Sequence, residues 1–182
     1  MNSFSEEIII MTRDCEATLI PFGNSFTLKK GDEVRITQAL GGSYTVMARG
    51  SLFRIEAKNA DAIGKEVIEE SNDTNEIIGK AKESDIWDVL KTCYDPEIPV
   101  NMVDLGLIYS CEVSDAKEGG SSIDIKMTLT APGCGMGPML VDEVKSKVSG
   151  VSGVRDVIVE LVWDPPWDKS MMSEAAKLEL NL

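Results

Sequence analysis

A chain of 182 residues is long enough for one ordinary domain or two small ones, each with a workable core. Its 18 basic and 31 acidic side chains leave a formal charge of −13, which repels phosphate backbones and anionic lipid surfaces, so neither nucleic acid nor membrane is an expected partner. The chain has no histidine, which removes the usual general base, the Cys-His and Ser-His pairs and the commonest metal ligand together.

From about residue 4 to 64 the sequence reads as short strands divided by turns. Cys15, Ala17 and Leu19 alternate with polar residues, as do Val34 and Ile36 after Lys30-Gly31-Asp32, Tyr44, Val46 and Ala48 after Gly41-Gly42, and Phe53 and Ile55 after Arg49-Gly50. Strands at this spacing with no helical pattern between them predict a small antiparallel barrel-like module over residues 1–65. Residues 66–83 hold the polar run Glu69 to Glu76, too poor in apolar groups to anchor to a core, and read as a linker.

The module that follows, 84–182, opens with Ile86, Val89, Leu90, Cys93 and Tyr94 on one helical face, with Ser84 as the expected N-cap. Asp95-Pro96-Glu97-Ile98-Pro99 ends that helix, since each proline drives its predecessor to extended backbone. Leu107, Tyr109, Cys111 and Val113 alternate as a strand, Gly119-Gly120 turns the chain, and Ile123, Ile125, Met127 and Leu129 bring it back. Leu140, Val141, Val144 and Val148 recur at helical spacing after Pro138, which suits a first helical position, and Glu143 with Lys147 forms a favourable i,i+4 pair. Val154, Val157, Val159 and Leu161 form a third strand, and Met171, Ala175 and Leu178 share a face of a C-terminal helix. The expected class is α+β: a β-rich module, then helix-strand-strand-helix-strand with the helices on one side of a small mixed sheet.

Four cysteines stand far apart with no C-x-x-C pair, which excludes a self-contained zinc or cluster site of that kind. Cys15, Cys93 and Cys111 fall in register with apolar residues and read as small hydrophobes. Cys134 breaks the pattern: it sits between Gly133 and Gly135 at the mouth of the helix that starts near Pro138, where partial positive charge favours thiolate, the form that binds metals and attacks electrophiles. Asp95 and Glu97 are second candidates, either as acceptors for backbone N–H groups or as ligands and proton acceptors beside the thiol. The Gly133-x-Gly135-x-Gly137 spacing is a weak phosphate-loop signal, because the Lys and Ser or Thr that should follow are missing. No apolar run reaches a membrane span and no basic-then-apolar leader opens the chain, so a cytoplasmic protein is expected.

Four stretches carry a family resemblance: Asp95 to Asn101 (D-P-E-I-P-V-N), Asp104 to Tyr109 (D-L-G-L-I-Y), Met127 to Pro138 around Cys134, and Trp163-Asp164-Pro165-Pro166-Trp167. Together they resemble the iron–sulfur cluster assembly (FSCA) domain family, and within it the bacterial SufT type, in which that domain follows an N-terminal extension. Arg13-Asp14-Cys15, Ile36 to Val46 and Ala60 to Gly64 resemble that extension. The resemblance implies an accessory role, as carrier or adaptor, in maturing iron–sulfur proteins rather than an enzymatic activity. It also implies that Glu97 and Cys134 are the functional residues, with Thr130 opening the T-x-x-x-C motif and Asp95 shaping the site.

Soft thiolate suits iron–sulfur chemistry, and Cys134 is the expected metal ligand. One thiol cannot complete the roughly four-thiolate shell of a stable cluster, so any cluster held is transient and its other ligands come from a second protomer, a small thiol or a client. The expected partners are accordingly the iron–sulfur assembly machinery, client apoproteins and a second copy in a homodimer. Two alternative functions are an accessory subunit of an oxygenase-type complex and a hydrolase with Cys134 as nucleophile. The second would have only a carboxylate as base.

Overall fold

The computed structural model describes residues 8–67 and 79–182, which pack as two units. The first contains the described residues up to 67 together with Pro96–Pro99, and the second contains the remainder.

In the first unit β1 (Ile8–Ile10), β2 (Cys15–Ile20), β3 (Asn24–Leu28), β4 (Glu33–Leu40), β5 (Ser43–Ala48) and β6 (Ser51–Ile55) form one antiparallel sheet in the order β1-β4-β5-β6-β2-β3. Two of its hairpins close on two residues with left-handed backbone, Gly41-Gly42 and Arg49-Gly50, the turn whose twist matches that of paired strands. A bulge between Ile36 and Gln38 shifts the phase of β4. One face of the sheet packs Cys15, Ala17, Leu28, Val34, Val46, Ala48, Phe53 and Ile55 against Ala62 and Ile63 of a 3₁₀ helix, Ala57–Ile63. Arg13 fastens that helix, donating from Nε and Nη2 to the two carboxylate oxygens of Asp61 at 2.7 and 2.6 Å, while Asp14 accepts from Lys29 Nζ and the Lys30 amide.

The barrel expectation is not confirmed. β1 and β3 are the two edges of the sheet, and among the described residues no pairing joins them. Both edges also escaped the sequence reading. β1 is an unbroken Ile-Ile-Ile run, and β3 buries only Leu28, so neither shows a period of two.

In the second unit β7 (Ile108–Asp115), β8 (Ser121–Met127) and β9 (Val154–Leu161) form a sheet in that order, antiparallel then parallel. The parallel pair requires a crossover, supplied by α2 (Gly137–Ser149), which packs on β9 and on α1 (Glu83–Leu90). Ile123, Ile125 and Met127 face this helical layer with Leu140, Val144 and Val148, all fully buried. The opposite face carries Ser122, Asp124, Lys126 and the exposed Ile158. The expected Glu143–Lys147 pair forms at 3.0 Å, and Lys147 Nζ also donates to Thr92 O beyond the end of α1.

Three local expectations are corrected. The N-cap of α1 is Lys82, with no side-chain cap, while Ser84 Oγ instead bonds Asp85. The helix stops at Leu90 rather than at Tyr94, because Tyr94 pairs in extended form with Asn101 ahead of Asp95-Pro96. At the C-terminus a 3₁₀ turn, Lys169–Met171, precedes α3 (Glu174–Glu179), whose N-cap is Ser173. Met172 and Ala176 are buried there, whereas Ala175 and Leu178 are exposed, a slip of one residue caused by counting the helix from too early a start.

Of the expected linker, residues 68–78 lie outside the described residues. Its described end is docked on the second unit: the Ala81 amide donates to Ser121 Oγ at 3.0 Å, and Lys80 pairs with Asp115.

Candidate functional site

The register of the second sheet pairs Ile108 with Met127 and Met127 with Leu161. The segment entering β7, the loop leaving β8 and the segment leaving β9 therefore share one sheet edge, the carboxyl end of the parallel pair, where α/β sheets gather their sites. Three of the four stretches singled out in the sequence lie here, although they are separated along the chain.

The loop between β8 and α2 is fixed at both ends and open in the middle. At its root the Thr128 amide donates to Leu107 O at 2.8 Å, and Thr128 and Leu129 are buried. Thr128 Oγ1 is buried with no hydrogen-bond partner among the described residues. At its far end Met136 is buried, the Gly137 amide closes a turn onto Cys134 O at 3.1 Å, and Pro138 occupies the second position of α2 rather than the first. Gly137 is closely approached: a Cβ there would lie 2.9 Å from Leu129 Cδ1 and would push that side chain aside. Between these anchors Ala131, Pro132, Gly133 and Gly135 are exposed and Cys134 is partly exposed. Thr130, half-buried, stands on the same loop, so the structure joins Thr130 and Cys134 in one element.

The neighbouring segment is fastened from the C-terminus. Asn101 Oδ1 accepts from the Asp104 amide and its Nδ2 donates to Asp104, forming a tight turn. Gly106 has a φ of 72°, and a Cβ there would collide with the carbonyl of Met171. Trp167 Nε1 donates to Leu105 O, the Ser173 amide to Asp104 O, and Tyr109 Oη to Pro165 O. The two sequence stretches Asp104–Tyr109 and Trp163–Trp167 are thus one packed piece of structure, with Trp163 itself 43% exposed.

The remaining candidates divide. Asp95 is buried in the second unit, whereas Glu97, exposed, belongs with Pro96–Pro99 to the first. Among the described residues no group of three or more Cys, Asp or Glu side chains is placed to hold a metal ion.

Two of the other thiols are set apart from Cys134 by burial. Cys15 and Cys93 are fully buried, and burial raises the pKa of Cys15. Cys111 is half-buried, and burial, followed by the nearby charge of Glu83, pushes its thiol up to about 11.

Comparison with known proteins places the second unit. The family model described as "Iron-sulfur cluster assembly protein" matches residues 83–161. A Fe-S protein maturation auxiliary factor of Porphyromonas gingivalis is 47% identical over 99 residues, 54% of this chain and 90% of that protein. The auxiliary factor SufT of Staphylococcus aureus is 44% identical over 88 residues, 48% of this chain and 96% of that one. The auxiliary factor YitW of Bacillus subtilis is 40% identical over 103 residues, 57% of this chain and 97% of that one. These relatives are spanned almost whole by about half of this chain, and the family model begins only after the N-terminal sheet.

Proposed function

Because the chain belongs to the iron–sulfur cluster assembly protein family, we propose that it is an accessory factor in iron–sulfur cluster assembly or in the maturation of iron–sulfur proteins. It acts as a carrier or adaptor through Cys134 and not as an enzyme. The observation that carries this reading is the setting of Cys134: a partly exposed thiol on an anchored loop at the sheet edge, with no group of three or more metal-ligating side chains among the described residues. A cluster is cargo here. Its remaining thiolates come from a second protomer, a small thiol or the client, and an incomplete shell favours transfer over storage.

Thr130 shapes the loop from its root, Asp95 orients the chain entering the D-P-E-I-P segment, and Glu97 offers an exposed carboxylate to the partner or cargo. The family domain covers 84–182, a linker covers 66–83, and the β-rich module 1–65 is the extension. The partners are the assembly machinery and client apoproteins, met in the cytoplasm.

The test is anaerobic reconstitution with iron and sulfide, followed by visible absorption and by transfer to an apoprotein. Wild type should develop a labile cluster chromophore that a client removes, and Cys134→Ser should not. Equal reconstitution and transfer by the two proteins would overturn the carrier role.

A further inference from the structure

The first sheet has one apolar face and one outward face, and part of the outward face is not open. Along β5 the outward residues are Ser43, Thr45 and Met47, and along β6 they are Leu52 and Arg54, since their neighbours Val46, Phe53 and Ile55 line the core. Met47 is 44% exposed, as an outward residue should be, yet Thr45 is only 4% exposed and its cross-strand partner Arg54 only 2%. Two polar side chains side by side on an outward face are buried only if something sits on them. That cover includes the D-P-E-I-P segment: Pro96–Pro99 packs with this unit, Pro96 is buried, and Thr45 Oγ1 donates to Pro96 O at 3.0 Å in a buried hydrogen bond.

The chemistry of this contact is specific. Two prolines fix φ on either side of Glu97 and Ile98, so the segment has little freedom once one of its carbonyls is held. A carbonyl taken out of water needs its donor, and Thr45 supplies it. Glu97 itself remains exposed. Arg54, the cross-strand partner of Thr45, is a buried cation that ion-pairs with Glu56 at 3.3 Å.

We propose that the N-terminal sheet is the mount of the acidic loop, with Thr45 as a positioning residue that fixes the direction in which Glu97 is offered to the partner or cargo. This rests on the functional reading of Glu97 given above. It assigns a task to a module that the family model does not reach, and it makes the loop a composite: its sequence lies inside the family domain, whereas its support lies outside it.

The experiment uses the full chain with Thr45→Val, which keeps the shape and removes the donor, and Thr45→Ser, which keeps the donor. Thr27→Val, on the same outward face at an exposed position, serves as control. Three quantities are read: the thermal midpoint, hydrogen exchange of the Glu97 and Ile98 amides, and client maturation in cells. Thr45→Val should raise exchange at those two amides about tenfold, the effect of losing one buried hydrogen bond. It should also lower client maturation as much as Glu97→Gln does, and Thr45→Ser should restore both.

Unchanged exchange in Thr45→Val overturns the mount, as does faster exchange spread over the whole first unit. If Thr45→Val does not fold, Thr45→Ser decides: its exchange must match wild type, and faster exchange at Glu97 and Ile98 despite the retained hydroxyl overturns the proposal. Local exchange that rises as expected while neither Thr45→Val nor Glu97→Gln affects clients upholds the mount and sinks the functional reading of Glu97 instead.

Discussion

The two units reach order by different routes. In the N-terminal unit, hairpins with two-residue turns carry much of the sheet, with β1 on β4 and β2 on β6 as its longer-range pairings, and exposed ion pairs fasten it, Arg13 with Asp61 of the 3₁₀ helix and Lys29 with Asp14. In the C-terminal unit, segments distant in sequence are drawn to one sheet edge, where Trp167, Tyr109 and Ser173 hold backbone carbonyls and Gly106 allows Met171 to approach. A clasp of exposed charges tolerates change. An edge assembled by close backbone approach does not, and the thiol loop emerges from that edge. The closely packed sheet edge and the loop that carries Cys134 are therefore neighbours in the same unit.

Glycine substitution should break this contrast most strongly. Gly106→Ala combines a left-handed φ with a collision against backbone, and should lower the unfolding free energy of the second unit by about 3 kcal/mol or more in urea titration. Gly133→Ala, at a φ of 79° in open space beside Cys134, should cost only about 1 kcal/mol. Equal costs would mean that the edge is not the tightly built region described.

Thiol reactivity is expected to separate the four cysteines. A small alkylating agent at neutral pH should label Cys134 first in the native chain, because Cys15 and Cys93 are fully buried and the Cys111 thiol stays protonated until the pH approaches about 11. Mass spectrometry of the labelled peptides gives the order, and comparable early labelling of Cys111 would contradict it.

The smallest effect should be that of acid on the clasp. Asp14 is held below its usual 3.8 by Lys29, Asp32 by the Lys29 amide and Asp61 by Arg13. Carboxylates with lowered pKa stabilise the fold above their unfolded value, and that contribution is lost as the pH falls through it toward the lower folded value. Thermal midpoints measured between about pH 5 and about pH 3 should therefore decline, less steeply in Asp61→Asn than in wild type. Because Asp14 and Asp61 are exposed, the slopes should differ only modestly. Identical slopes would remove Asp61 from the acid response.

Much of this was legible in the sequence wherever burial imposes a period. Cys15 and Ala17, Val46 and Ala48, and Ile123, Ile125 and Met127 alternate because one face of each strand is buried, and α2 announced itself by Leu140, Val144 and Val148. Cys134 stood out because no period explains a cysteine between two glycines. The edge strands were not legible, since a strand paired on one side and largely exposed has no face to mark. The support of Glu97 was hidden for a related reason. Thr45 reads as an ordinary outward residue, and no local pattern tells that a carbonyl 51 residues away covers it.

The central claim, that Cys134 acts as a functional thiol and not as a piece of the core, is tested most directly by one substitution in cells whose only copy of this chain carries Cys134→Ser. Serine nearly matches cysteine in size, and the position is partly exposed on a loop, so the variant should remain folded and abundant. The activities of several unrelated iron–sulfur enzymes should nevertheless fall together. Normal activities of those enzymes would contradict the account, and so would a variant that failed to fold, because the cysteine would then be structural.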